Sequence, residues 1–276
     1  MPTSTKALTT TVQLGFPAFS GGGRDIAFLA CAAEFDPRKP FNIVLFFHGF
    51  ERSLDQQVVA HALAQQVVEC RQNYVLVCPR TAVDAATEKN PGKFADQNHF
   101  SGFLGELPDH IKTLVKDESL DVTGLADRAG QARLVIANFS AGHRVASTVM
   151  SHPLVRHRLA ALAFFDSLYQ SNAYYQDPGA VLKTGALVGV HRAVYDQIGD
   201  DERDNHKELI AKLVGLHVTP STSIDAVDRL RPGIAVMESV NIDSHWQIVS
   251  NGGRLAKVLA KVDVKTDDQG AGVGVG

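Results

Sequence analysis

The chain has 276 residues, of which 45% are hydrophobic and 21% charged, and a formal net charge of -3. That composition supplies a large core and excludes wholesale disorder. Charges of both signs are scattered, so no phosphate-binding field forms and nucleic acid is not an expected partner. No run of about 18 apolar residues exists, which excludes a membrane-spanning helix.

The length suits one domain rather than two. Residues 1–265 are expected to form it, and the Asp- and Gly-rich stretch 266–276 is expected to be a disordered tail. Met1 to Gly15 is rich in Thr and Ser and lacks the apolar centre of a leader, which reads as cytoplasmic; a processed, secreted form would look the same.

In chain order, Ser20 to Gly23 reads as a turn between two early strands, because it lacks the Gly-Lys-Ser/Thr ending of a phosphate loop. Ile26–Ala33 and the β-branched, aromatic Asn42–Phe47 are predicted strands. Leu54–Cys70 has apolar residues at helical spacing with no internal Gly or Pro, and Ser53 is placed to cap it. Tyr74–Cys78 is a strand stopped by Pro79, and a polar loop, Arg80–Asn98, follows with a turn at Pro91-Gly92. His99–Val115 reads as a helix bent or interrupted at Pro108. Arg133–Ala137 is a strand that runs into a helical pattern at Ala141–Met150. Leu159–Phe165, Ala186–Val190 and Gly233–Glu238 complete the strands, with helices at Asn205–Val214 and Gly253–Val262.

Apolar strands separated by helices predict an α/β fold: a doubly wound, mostly parallel sheet flanked by helices. Such sheets carry their active residues at the C-terminal ends of strands. Cys31 and Cys78 lie within apolar runs and Cys70 ends a helix, so they read as buried small hydrophobes. A Cys70–Cys78 bridge is the alternative, since a helix end and the next strand can approach.

The chemistry concentrates at three strand ends. In RLVIANFSAG (Arg133–Gly142) an apolar strand runs straight into Ser140. A serine on a sharp strand-to-helix turn has an exposed hydroxyl, and the following backbone N–H points toward a substrate oxygen; small residues must flank it, as Ala141 and Gly142 do. The early strand closes on Phe46-Phe47-His48-Gly49-Phe50, and the last is followed by Asn241-Ile242-Asp243-Ser244-His245-Trp246.

Asn138–Gly142 resembles the nucleophile elbow of the α/β-hydrolase superfamily, G-x-S-x-G, with Asn138 in place of the first glycine; Asn tolerates unusual backbone angles better than most residues. In that family an H-G motif after the third strand shapes the oxyanion hole. The resemblance therefore implies that the N–H groups of Phe50 and Ala141 hold a tetrahedral oxyanion, where losing one donor can cost about 2.7–4 kcal/mol. It makes His48 a prop for that loop and sets His48, Gly49 and Trp246 around the substrate. The family order of nucleophile, acid and histidine implies that His245 is the general base. The acid is Asp166, which directly ends Leu159–Phe165, or Asp196, which lies after the next strand. FFDSLY and SHW look like a bacterial esterase- and peptidase-like subgroup, and the resemblance spans the chain from the Asn42 strand to the final helix.

The implied activity is that of a serine hydrolase working through an acyl-enzyme, with no cofactor. An ester is the default substrate, because alkoxide leaves more readily than amine; an amide or peptide bond is the alternative, on a small or polymeric substrate. A binding protein of the same fold that has lost catalysis is the reading from another class, with Asn138 as its possible mark. No H-x-x-H or H-E-x-x-H spacing points to a metal. His99 and Glu106 read as pocket-lining or as a helix start with a solvated carboxylate, and Tyr169, Tyr174 and Tyr175 as an aromatic wall, with Phe164 shared between wall and core. Acyl preference and oligomeric state are not encoded in residue order.

Overall fold

A strand covered on both faces is apolar along its whole length, and β3 (Asn42–Phe47), β4 (Tyr74–Pro79), β5 (Leu134–Phe139) and β6 (Leu159–Phe165) are buried at every residue. They form the centre of an eight-stranded sheet with β1 (Ala7–Gln13), β2 (Ile26–Ala32), β7 (Ala186–Arg192) and β8 (Ala235–Val240), in the order β1-β2-β4-β3-β5-β6-β7-β8. β1 pairs β2 and β2 pairs β4 antiparallel, and every other pairing is parallel. The structure, a computed structural model, describes residues 6–19, 25–49, 52–81, 92–169, 172–193 and 200–264, the side chains of 200–202 apart. The Ser20–Gly23 turn, Phe50, Pro91, Asp196 and the 266–276 tail lie outside the described residues.

The strand period of two splits the core in half. Ile43, Leu45 and Phe47 of β3 and Leu134 and Ile136 of β5 face one side. There they meet α3 (Gln97–Val115), α4 (Val122–Gln131) and α5 (His143–Val149), with α8 (Pro178–Leu182) and α9 (Asp200–Gly215) on the same side of the core. Val44 and Phe46, with Val135, Ala137 and Phe139, face the other side, covered by α1 (Leu54–Ala60), α2 (Leu63–Glu69) and α10 (Arg254–Lys261). α6 (Pro153–Arg158) leads into β6, and α7 (Ala173–Gln176) precedes α8.

The expected doubly wound, mostly parallel sheet is present, but some elements differ. The helical pattern Leu54–Cys70 is two helices, because Ala62 takes a left-handed backbone (φ 49). Ser53 caps the first through a reciprocal box with Gln56. At the break Gln66 Nε2 donates to the carbonyls of His61 (2.7 Å) and Val249 (3.2 Å), and Gln66 Oε1 accepts from Ala256 N (3.1 Å). One buried amide thus satisfies a helix-end carbonyl and ties α2 to α10. α3 continues through Pro108, so the helix is not interrupted there. β1 is the first of the two early strands expected on either side of Ser20–Gly23; its Thr-rich, half-exposed sequence fits an edge strand better than a core one. All three cysteines are buried and free, so no Cys70–Cys78 bridge forms. Burial pushes the Cys31 thiol up to about 12 and that of Cys70 to about 11, which makes them inert. Among the described residues no helix is long and apolar enough to cross a membrane.

Candidate active site

β5 passes directly into a short 3-10 turn, Ser140–Gly142, and then α5. Ser140 has φ 49, a left-handed conformation that costs a non-glycine residue about 1–3 kcal/mol and persists only where the surroundings enforce it. Close packing enforces it here. A Cβ on Gly142 would lie 2.0 Å from the Phe47 carbonyl oxygen, so β3 rests against the backbone of the turn. A Cβ on Gly49 would lie 3.0 Å from Ser140 Cβ, which sets the His48-Gly49 loop beside the serine. His143 Nδ1 contacts the Ser140 carbonyl at 3.0 Å. Ser140 is half-buried, and among the described residues its Oγ has no hydrogen-bond partner.

Asn138 is not tolerated for the backbone reason expected of it, since the residue with positive φ is Ser140. Asn138 lies within β5, opposite Phe47 and Phe164. Its Oδ1 accepts from Ser167 Oγ at 2.5 Å and its Nδ2 donates to the Ala163 carbonyl at 3.4 Å. The side chain leaves the turn sideways into a buried polar niche, so a glycine is not required.

Asp166 follows β6 at once, with φ 41 and 0% exposure. Its Oδ2 accepts from His245 Nδ1 at 3.0 Å and from Arg192 Nε at 2.6 Å, while its Oδ1 accepts from Arg192 N at 2.9 Å. Burial alone pushes this carboxyl up. The hydrogen bond and charge of His245, with the backbone N–H and charge of Arg192, outweigh burial and hold it below the usual carboxylate range. Asp166 is therefore ionised at neutral pH. Asp166 meets His245, while Asp196, the alternative acid, lies outside the described residues.

His245 opens a 3-10 turn, His245–Gln247, after β8. Its ring packs on Phe139 with centroids 4.5 Å apart, and Phe139 immediately precedes Ser140. No hydrogen bond joins Ser140 to His245 among the described residues. Trp246 packs on the same phenyl ring at 5.4 Å and lies 6.4 Å from His61, while the Arg52 guanidinium sits 3.7 Å over the Trp246 ring. Burial, then the charges of His245, His48 and Arg52, push His61 down to about 3, so it stays neutral beside the site.

His48 is a prop. Its Nδ1–H donates to the Gly49 carbonyl at 2.5 Å, its Nε2 accepts from Thr81 N at 3.0 Å, and Thr81 Oγ1 donates back to the His48 carbonyl at 3.0 Å. Both ring nitrogens are consumed inside the protein, so its expected place among the substrate contacts is not supported. Burial pushes it down to about 4. Ala141 follows Ser140 in the turn, 8% exposed.

Other expectations resolve into structure. Glu106 Oε2 accepts from Gly15 N at 2.8 Å and His99 Nε2 contacts the Pro17 carbonyl at 2.9 Å, so both anchor the N-terminal segment and do not line the site. Tyr174 is buried and its OH donates to the Ser167 carbonyl at 3.1 Å, bracing the loop after Asp166. Tyr175 and Phe164 are buried too; Tyr169 stacks near His143 with ring centroids 4.1 Å apart. Among the described residues no group of His, Cys, Asp and Glu has metal-holding geometry. Arg192 was missed because the apolar run ends at Val190. β7 continues to Arg192, and only its partners reveal the role.

No protein-family model and no curated protein matches the chain. Solved structures do. A mutant of the feruloyl esterase module from Clostridium thermocellum, complexed with sinapinate, is 14% identical with a TM-score of 0.56, over 95% of this chain and 89% of that one. A ferulic acid esterase is 11% identical with a TM-score of 0.59, over 93% and 98%. FphF, a fluorophosphonate-binding serine hydrolase of Staphylococcus aureus, is 10% identical with a TM-score of 0.51, over 93% and 99%. At such identity the likeness establishes the fold, which is the α/β-hydrolase fold.

Proposed function

We propose that the chain is a serine hydrolase that cleaves carboxylic esters through an acyl-enzyme. The observation that carries this reading is the buried Asp166–His245 pair, packed through Phe139 against a serine in left-handed conformation at the end of a central parallel strand. Ser140 Oγ attacks the carbonyl carbon while His245 Nε2 takes its proton. His245 then gives that proton to the leaving alkoxide, and a water molecule repeats the sequence to release the acid. Asp166 fixes His245 with Nδ1 protonated, which leaves Nε2 as the acceptor, and offsets the charge of the imidazolium. The lack of a Ser140–His245 hydrogen bond among the described residues fits a site that tightens when substrate fills it. The N–H of Ala141 is one oxyanion donor, and that of Phe50 the second. Ester over amide follows from the better leaving group, and the names of the neighbours make feruloyl and sinapoyl esters the first substrates to try.

The test is labelling by a fluorophosphonate, which takes an activated serine, with the site read by mass spectrometry. Labelling of Ser140 in the wild type, lost in Ser140→Ala and His245→Gln, supports the mechanism. A folded wild type that resists labelling sinks it and favours a binding protein of the same fold. Turnover of anilides at rates comparable to p-nitrophenyl esters would move the substrate class to amides.

A further inference from the structure

Arg192 holds Asp166 by both its main chain and its side chain. β7 runs one turn of the pleat beyond its apolar stretch, so that the N–H of Arg192 reaches Oδ1 at 2.9 Å while its Nε reaches Oδ2 at 2.6 Å. The residue is 9% exposed. The oxygen that accepts from Nε also accepts from His245. From this geometry we infer that Arg192 is a positioning residue for the Asp166–His245 pair and that its charge extends the working range of the site toward acid pH. The inference rests on the serine hydrolase reading.

Neutral donors would satisfy a buried carboxylate equally well in number, but a guanidinium adds a permanent charge and a planar fork. With Arg192 in place, Asp166 is a carboxylate already half compensated. It still fixes the imidazole through Nδ1, yet offers an arriving imidazolium less net negative potential than an unshared carboxylate would. Removing the Arg192 charge would therefore strengthen the pull of Asp166 on an imidazolium. The cost is weaker stabilisation of the imidazolium formed during the reaction.

The surroundings reinforce this. Asp166 is faced by His245, Arg192 and the charge field of His191, on which His206 stacks with ring centroids 3.8 Å apart. His245 is faced by Asp166, the apolar rings of Phe139 and Trp246, neutral His61 and, across Trp246, Arg52. Among these described neighbours Asp166 is the only carboxylate, so whatever compensates it governs the imidazole.

The experiment reads the second-order rate of fluorophosphonate labelling of the full chain against pH, for the wild type, Arg192→Lys and Arg192→Gln. In Arg192→Gln the acid limb is expected to move up by about half to one pH unit, with a several-fold lower plateau. Arg192→Lys keeps the charge but not the fork, so its limb should coincide with the wild type while its plateau falls. A purely structural arginine would lower plateau and melting temperature together and leave both limbs in place; coincident limbs for wild type and Arg192→Gln overturn the proposal. If Arg192→Gln does not fold, Arg192→Lys still decides, because an upward shift there removes charge as the cause. A wild type that is not labelled at Ser140 overturns the hydrolase reading and this proposal together, whereas labelling with coincident limbs overturns this proposal alone.

Discussion

Ser140 and Asp166 each stand one residue beyond a central parallel strand, and each has a left-handed backbone, φ 49 and φ 41. Their side chains are treated in opposite ways. Ser140 is half-buried and its Oγ has no partner among the described residues, whereas Asp166 is sealed from solvent and its carboxylate accepts at least three hydrogen bonds. At the serine the unusual backbone is enforced by packing, with Gly142 against the Phe47 carbonyl and Gly49 against Ser140 itself. At the aspartate, hydrogen bonds enforce it, including its own N–H to the Val190 carbonyl at 2.9 Å. In the proposed mechanism Ser140 must remain available as nucleophile, which fits a corner shaped without touching its Oγ. In the same mechanism Asp166 must stay ionised and oriented, which fits a corner built from the contacts of its carboxylate.

Substitution should separate the two corners. The largest effect is expected at the acid. Asp166→Leu leaves Arg192 buried without its carboxylate, a loss of about 3–5 kcal/mol, and Asp166→Asn should slow labelling about ten-thousand-fold, the scale of a triad acid turned into its amide. At the other corner, Ser140→Gly should abolish labelling yet raise stability by about 0.5–1 kcal/mol, because glycine adopts the left-handed backbone without strain. Denaturant unfolding followed beside labelling reads both. If Asp166→Leu unfolds with the wild type, or Ser140→Gly well before it, the two corners do not differ as described.

The packing that shapes the serine corner can be broken without touching the serine. Gly142→Ala places a Cβ 2.0 Å from a backbone oxygen, and neither atom is the free end of a flexible side chain. Overpacking of this kind costs about 1–3 kcal/mol, and the turn it displaces carries Ser140 and Ala141, the proposed nucleophile and oxyanion donor. Slower labelling and a lower unfolding midpoint are expected together. A variant that matches the wild type in both would mean that β3 does not set the elbow.

Acid tests the same contrast over a wider area. Burial pushes His48 and His143 down to about 4 and His61 to about 3, and holds His206 well below the ordinary range. Each takes up its proton in the unfolded chain near the ordinary histidine value of about 6.5 and in the folded chain only well below it. The unfolded state thus binds more protons between those limits. Stability present above about pH 6.5 is lost as pH falls toward 4, by up to about 1.4 kcal/mol per unit for each histidine, and levels off below the folded values. His206 has no partner on either ring nitrogen among the described residues and stacks near Phe164. His206→Phe should reduce the slope by about one proton, as urea midpoints measured at several pH values would show. An unchanged slope would mean that His206 is already protonated in the folded state.

Much of this was legible in the sequence because each corner is a local pattern. A buried strand, a polar residue and a run of small residues mark Ser140; LAALAFF followed by Asp166 and the last strand followed by His245 are equally compact. The partner Arg192 was not legible, since hydrophobicity ends at Val190 while the strand does not. The break at Ala62 was hidden as well: Leu54–Cys70 keeps helical spacing throughout, and the reason for the break lies in Gln66 and the carbonyls it meets across the fold. Spacing reports which face is buried, not which polar contact interrupts it.

The smallest expected effect concerns Asn138, the departure from the glycine pattern that favoured a protein without catalysis. Its side chain points away from the turn and accepts from Ser167 Oγ, in the segment that follows Asp166. Asn138→Gly therefore restores the usual pattern but removes a buried hydrogen bond, for a loss of about 0.5–1.5 kcal/mol, with added chain entropy opposing the fold. Labelling of Ser140 should stay within a few-fold of the wild type, since the residue with positive φ is unchanged. A large gain in labelling rate on this substitution would show instead that Asn138 obstructs the elbow, and would return weight to a chain in which the acid corner is intact and the serine corner is impaired.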